Sequence, residues 1–356
     1  TGATVVTDFG AYDRSFYLWR AMEQWFGGLG VIALFVVVFP QLGVAGRQLF
    51  FAEASSASGP PLPQVRQASL RIWGLYSALT LLLVVLLMAT GMPAFDAVCN
   101  ALATLSAGGF SPNPTSIAGY ESPAAEWVLV PFMAISGMSF SILYLALASR
   151  SASTLYRDPE WRAYTGILVA LGVAVGVSVE GPSIDGLRTG LFQVASVISS
   201  TGFASVDFEQ WDARAKALML AAMLVGACAG SAGGGPKVVR IILATRYILQ
   251  GITRALHPSA ILPYKYKGNV LPGRVMRSVV TLVVLYLLGY VVLAIVLGVQ
   301  GLGLEEAFSV AVATLGNIGP GFGQAGPMGS YAGFSDLTKL TLVAAMWIGR
   351  LEFVAV

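Results

Sequence analysis

Charge is scarce in this chain. Only 11% of its 356 residues are charged while 56% are hydrophobic, a balance that a water-soluble domain of this length would not normally carry. Histidine occurs once, at His257, and cysteine twice, at Cys99 and Cys228, both in apolar surroundings. Two such thiols argue against a disulfide framework, and a single imidazole leaves zinc chemistry without ligands. No Ser/His, paired-Asp or His/Glu constellation falls within the apolar runs, so the residues point away from an enzyme. No Walker loop or Rossmann fingerprint is present, so no organic cofactor or nucleotide is expected in this chain itself. No basic run is interleaved with stacking aromatics either, which argues against nucleic acid as a partner.

What the chain has is long apolar runs. They fall at about 29–40 (extended back by Phe16 to Phe26), 72–92, 127–148, 163–180, 217–232 and 278–299, with another from about 338 to Val356. About twenty residues at 1.5 Å rise cross a hydrocarbon core, so these runs predict spans of an all-α polytopic membrane protein. Basic residues cluster in three stretches: Arg47, Arg66 and Arg71; Arg150, Arg157 and Arg162; and Lys237 to Arg277, which holds Arg240, Arg246, Arg254, Lys265, Lys267 and Arg274 with no acid. The positive-inside rule places all three on the cytoplasmic side. Glu121, Glu126, Asp185, Asp207, Glu209, Asp212, Glu305 and Glu306 then mark the opposite face.

Four short segments run into a glycine, the last three of them on that opposite face: Thr1-Gly2; Ser106-Ala107-Gly108-Gly109; Ser199-Ser200-Thr201-Gly202; and Gly316-Asn317-Ile318-Gly319. The last three each follow an apolar stretch of about a dozen residues, which is too short to cross a bilayer. Pro112-Asn113-Pro114 and similar breakers after each segment forbid a helix there. The expected organisation is four pseudo-repeats of helix, half-length pore helix, filter loop and helix around one central pore. Repeat 1 covers 1–50 and is incomplete, a remnant of filter and inner helix; repeat 2 covers 64–150. Repeat 3, with a broken inner helix, covers 160–256, and repeat 4, with its end truncated, covers 274–356. Non-helical backbone at membrane depth is tolerated only where it lines a cavity or protein wall, and helix C-termini pointing there favour a cation. Close helix packing is the competing use of such glycines.

With these residues in view the chain resembles the Trk/Ktr/HKT superfamily of potassium transport proteins, and most closely its TrkH/TrkG branch of bacterial uptake subunits. Trp19 to Gly30, with Trp25-Phe26-Gly27-Gly28, is similar to the branch's signature after the first filter; Gly316 to Gly323 is similar to its fourth filter; Gly230 to Lys237 is similar to the break in its third inner helix. The resemblance implies a potassium-selective conducting subunit in the bacterial cytoplasmic (inner) membrane. Its filter would be Thr1, Gly2, Ser106, Ala107, Gly108, Gly109, Ser199, Ser200, Thr201, Gly202, Gly316, Asn317, Ile318 and Gly319, binding potassium and rubidium ions through backbone carbonyls. It further implies a homodimer with one pore per protomer and a cytosolic TrkA-like nucleotide-binding regulatory subunit, for which the basic stretch from Lys237 is a docking candidate. Three features depart from the branch: only Thr1 remains of the threonines expected before the first filter glycine, Ala107-Gly108 stands where a hydroxyl residue is common, and Pro236 where an aliphatic residue is usual.

Ala229 to Gly235 contains only glycine, alanine and serine, so no regular helix is expected there. The resemblance gives Gly230, Ser231, Ala232, Gly233, Gly234 and Gly235 the role of an intramembrane gate, and Arg350 that of a positive barrier in the pore. An arginine inside an apolar span is a functional candidate by default. Arg20 and Glu23, at i and i+3, are expected to pair, whereas Glu352 is not expected to pair with Arg350. Asp207 and Asp212 are expected to cap the following helix. A secondary transporter coupled to a proton or sodium gradient also uses broken helices, and stands as the alternative.

Overall fold

The computed structural model describes residues 3–33, 62–259 and 262–353. Thr1, Gly2, Arg47 and Val356 lie outside the described residues, as does most of the apolar run at 29–40. Its helices are α1 (Arg14–Ala33), α2 (Leu62–Ala89), α3 (Ala94–Leu105), α4 (Pro123–Ser136), α5 (Phe140–Ala148), α6 (Ser153–Tyr156), α7 (Pro159–Glu180), α8 (Ile184–Ile198), α9 (Ala213–Met223), α10 (Val238–Leu256), α11 (Gly273–Val299), α12 (Leu304–Leu315) and α13 (Asp336–Arg350). A two-stranded antiparallel ribbon, β1 (Lys265–Tyr266) with β2 (Asn269–Val270), is the only sheet among the described residues.

Leu70–Ala89, Pro159–Glu180 and Gly273–Val299 are long and apolar enough to cross a bilayer. Their burial pattern suits lipid. On α11, Tyr286 and Tyr290 are buried while Leu287, Leu288, Val291, Val292 and Ile295 are exposed; on α2, Leu83 and Leu87 are buried while Leu81, Leu82 and Val85 are exposed. A water-soluble helix would put the charged face there. The short helices α3, α8 and α12 behave oppositely and form the centre of the main core, contributing Ala97, Ala101, Val194, Ile198, Ala311 and Leu315 among others.

Each short helix begins with an acid in its first turn: Asp96 in α3, Asp185 in α8, and Glu305 with Glu306 in α12. Negative charge at the N-terminus complements the helix dipole and leaves the negative pole at the buried C-terminus. Ser183 caps α8 by accepting a hydrogen bond from the Gly186 amide at 2.9 Å. Asp212 caps α9 through the Ala215 amide at 2.9 Å, and Asp207 accepts from the Glu209 amide at 3.2 Å.

Two spans differ from the sequence pattern. The apolar run at 127–148 is not one helix: α4 and α5 meet at a break with a bend of 101°. The Cys228 amide donates to Gly137 O at 2.8 Å and the Phe140 amide to Gly230 O at 3.2 Å, so the chain exchanges intrahelical bonds for bonds to a distant loop. The helix α9 ends before Leu224, earlier than the small-residue run at Ala229 indicates, and helix resumes as α10 at Val238.

Candidate functional site

The three short helices end in the same way. In α3 the Gly108 amide donates to Ala103 O at 2.8 Å and the Ala107 amide to Thr104 O at 3.1 Å. In α8 the Thr201 amide donates to Ser196 O at 2.9 Å and the Ser200 amide to Val197 O at 3.1 Å. In α12 the Ile318 amide donates to Ala313 O at 2.8 Å and the Asn317 amide to Thr314 O at 3.1 Å. These paired bonds make three Schellman caps, with Ala107, Ser200 and Asn317 left-handed at φ 53°, 57° and 56°. Asparagine tolerates that conformation; alanine and serine occupy it at a cost of about 1 kcal/mol. Nothing in the residue types at 107 and 200 announces it.

The glycine that follows each cap also has positive φ, 77° at Gly109, 81° at Gly202 and 116° at Gly319. Its missing side chain is a matter of space as well. A Cβ at Gly109 would lie 1.8 Å from Thr201 O, and a Cβ at Gly202 would lie 2.2 Å from Ile318 O. The segment ending in Gly202 thus closes its backbone against Gly109, and the segment ending in Gly319 closes against Gly202. Successive segments are brought together edge to edge; Thr1 and Gly2 lie outside the described residues.

Hydroxyl groups in these segments turn away from the space between them. Ser106 donates back to Leu102 O at 2.8 Å, and the Ser199 and Thr201 hydroxyls bond each other at 2.7 Å. Two carbonyls of these segments are also engaged: Gln24 Nε2 donates to Gly108 O at 2.8 Å, and Tyr331 OH donates to Gly319 O at 2.5 Å. The carbonyls of Ala107, Ser200 and Asn317 accept no hydrogen bond from a described residue, although all three residues are buried. A buried carbonyl without a partner is uncommon and calls for water or a cation.

One side of the segments opens into a depression of about 520 Å³, including open space, lined by Thr4, Gly109, Gly202, Pro320 and Tyr331 among others. On the other side lies the glycine-rich break. A Cβ at Gly233 would meet Ser199 O at 2.5 Å, and one at Gly234 would meet Gly316 O at 2.4 Å, so only glycine lets this loop touch the helix ends. The Gly234 amide donates to Ser200 Oγ at 2.6 Å, Arg350 Nη1 to Ala232 O at 3.0 Å, and Lys237 Nζ to Gly233 O at 2.5 Å.

The basic stretch expected on the cytoplasmic surface begins inside the protein instead. Lys237 and Arg240 are buried, and Glu352 stands against both, 3.7 Å from Lys237 and hydrogen-bonded to Arg240. Glu160, also buried, accepts from the Ala229 amide at 2.8 Å and the Val239 amide at 3.2 Å, one inside the break and one in the helix that follows it. Neither carboxylate stands out in the sequence, because each meets partners far away along the chain. The pairing of Arg20 with Glu23 is not formed; the Arg20 guanidinium instead lies 3.9 Å over the Phe110 ring. Among the described residues no cluster of His, Cys, Asp and Glu could hold a metal ion.

Comparison with known proteins gives a consistent result. The profile of the TrkH family, described as a cation transport protein, matches residues 1–356. The Trk system potassium uptake protein TrkH of Salmonella typhimurium is 32% identical over 359 residues, covering 99% of this chain and 74% of the relative. TrkH of Vibrio parahaemolyticus is 34% identical over 367 residues, covering 99% and 74%, and TrkG of Escherichia coli is 31% identical over 360 residues, covering 99% and 73%. The crystal structure of the potassium transporter TrkH from Vibrio parahaemolyticus superposes with a TM-score of 0.88 at 32% identity, covering 99% of this chain and 74% of that one.

Proposed function

The chain belongs to the TrkH family of cation transport proteins, and from that premise we propose that it conducts potassium through a filter built from its glycine segments. It is a helical membrane protein and not an enzyme. Potassium uptake is the activity in the names of its relatives, and the site has the chemistry for it.

The carrying observation is that three residues in equivalent positions at the negative ends of three short helices, Ala107, Ser200 and Asn317, are buried while their carbonyls accept no hydrogen bond from a described residue. A dehydrated monovalent cation requires oxygen dipoles in place of water, and backbone carbonyls supply them without a net charge that would hold the ion too tightly. The proposed filter comprises Thr1 and Gly2, Ser106 to Gly109, Ser199 to Gly202 and Gly316 to Gly319. The four units at 1–50, 64–150, 160–256 and 274–356 each contribute one segment. Potassium is the cargo and no resident cofactor is invoked.

Beneath the filter, Gly230 to Gly235 are proposed as the gate, held against the filter helices by Ser200 and against α13 by Arg350. Arg350 places a positive charge beside that loop and so raises the barrier to a cation passing it. A homodimer and a TrkA-like cytosolic partner complete the proposal. With Lys237 and Arg240 buried, the surface offered to such a partner is Arg246, Arg254, Lys265, Arg274 and Arg277.

Rubidium and sodium uptake into proteoliposomes tests the filter reading. Potassium and rubidium should enter while sodium enters poorly. Equal sodium and potassium flux would contradict it.

A further inference from the structure

The outer depression is polar but carries almost no charge. Among its described lining residues, which include Thr4, Ser111, Asn113 and Tyr331, the single charged side chain is Arg20. Its guanidinium lies over Phe110 at 3.9 Å and near Phe16 and Tyr17 at 5.7 and 5.9 Å. Arg20 is only 7% exposed, and its Nη1 has no hydrogen-bond partner among the described residues. No acid pairs with it among them: Glu209 binds Lys216 at 2.7 Å, and Asp207 and Asp212 accept from backbone amides. Arginine keeps its proton under all ordinary conditions, so the mouth contains a fixed, uncompensated positive charge beside Gly109 and Phe110.

We infer that Arg20 determines specificity at this mouth by rejecting divalent cations. Repulsion from a fixed charge grows in proportion to the charge of the approaching ion, so calcium or magnesium meets twice the penalty of potassium at the same place. Potassium and sodium meet the same penalty, and Arg20 leaves the choice between them to the filter. The aromatic rings supply the favourable contact that holds a guanidinium without a carboxylate, which would cancel the charge. This inference rests on the filter reading, because it takes the depression as the ion's entrance.

The test is inhibition of rubidium uptake by external calcium and magnesium, using the full chain in proteoliposomes at constant ionic strength. Arg20→Gln should lower the half-inhibitory concentration of both divalent ions about tenfold, equivalent to about 1.4 kcal/mol. Arg20→Lys should behave as the original, and adding Pro114→Lys to Arg20→Gln should restore tolerance from another point on the rim. The potassium-to-sodium ratio should stay unchanged in all of them. An unaltered half-inhibitory concentration in Arg20→Gln, or a lysine variant as sensitive as the glutamine one, overturns the inference. So does a collapse of the potassium-to-sodium ratio, which would mean that Arg20 only props the filter through Phe110. If Arg20→Gln yields no flux, Pro114→Lys alone decides: it should raise the half-inhibitory concentration, and no change counts against a charge effect. Failure of the filter reading itself would be seen separately, as unselective flux in the unmodified protein.

Discussion

A single methyl group at Gly202 has nowhere to go. It would fall 2.2 Å from Ile318 O, on a residue whose φ of 81° already disfavours any side chain. Left-handed backbone costs an L-residue about 1 kcal/mol, and the contact with a neighbouring backbone cannot be relieved by a rotamer change. Gly202→Ala should therefore displace the third segment from the fourth and lower the potassium-to-sodium flux ratio at least tenfold, measured in the same proteoliposomes. An unchanged ratio would mean that this contact does not set the filter's dimensions. Gly202 was legible from the sequence because glycine marks special backbone. Ala107 and Ser200 were not, since neither residue type signals a left-handed cap, and only Asn317 of the three carries such a hint.

At the scale of elements, α9, α10 and α13 hold the glycine-rich loop, the proposed gate, between them. The loop is pinned on one side by Ser200 and on the other by Arg350, while Lys237 folds back onto Gly233. Arg350→Ala should release Ala232 O and remove a positive charge from the path, raising single-channel open probability several-fold in bilayer recordings. Gly234→Ala acts on the opposite side of the loop. Its Cβ would lie 2.4 Å from Gly316 O, pushing the loop off the filter helices. The closed contact should be weakened by about 1–3 kcal/mol, the cost of losing a buried hydrogen bond such as that to Ser200. Basal flux should rise in this variant as well, and a fall would show that the loop is needed for conduction instead of obstructing it.

The break itself was readable from its composition, since seven consecutive small residues cannot sustain a helix. Its partner break at Gly137 to Ser139 was not. Ser136-Gly137 and Ser139 are a weak signal inside an otherwise apolar stretch, and the bonds to Cys228 and Gly230 that replace the helical ones lie about ninety residues away. For the same reason Lys237 and Arg240 read as cytoplasmic surface. Their counter-ion, Glu352, lies 112 residues beyond Arg240.

Over the described residues of the molecule, long helices with exposed apolar surfaces surround short helices that are mostly buried. Hydropathy reveals the first kind and length the second, so the architecture was legible early. What hydropathy cannot show is that the ends of α3, α8 and α12 are packed edge to edge with the carbonyls of Ala107, Ser200 and Asn317 accepting no hydrogen bond from a described residue. The central claim is that a dehydrated cation occupies this place. Anomalous diffraction from crystals of the protein soaked in rubidium measures it directly. The account predicts rubidium density between the segments that end in Gly109, Gly202 and Gly319, replaced by weaker or no density in sodium alone. Density located only at carboxylates within the spans, or none between the segments at saturating rubidium, would contradict it.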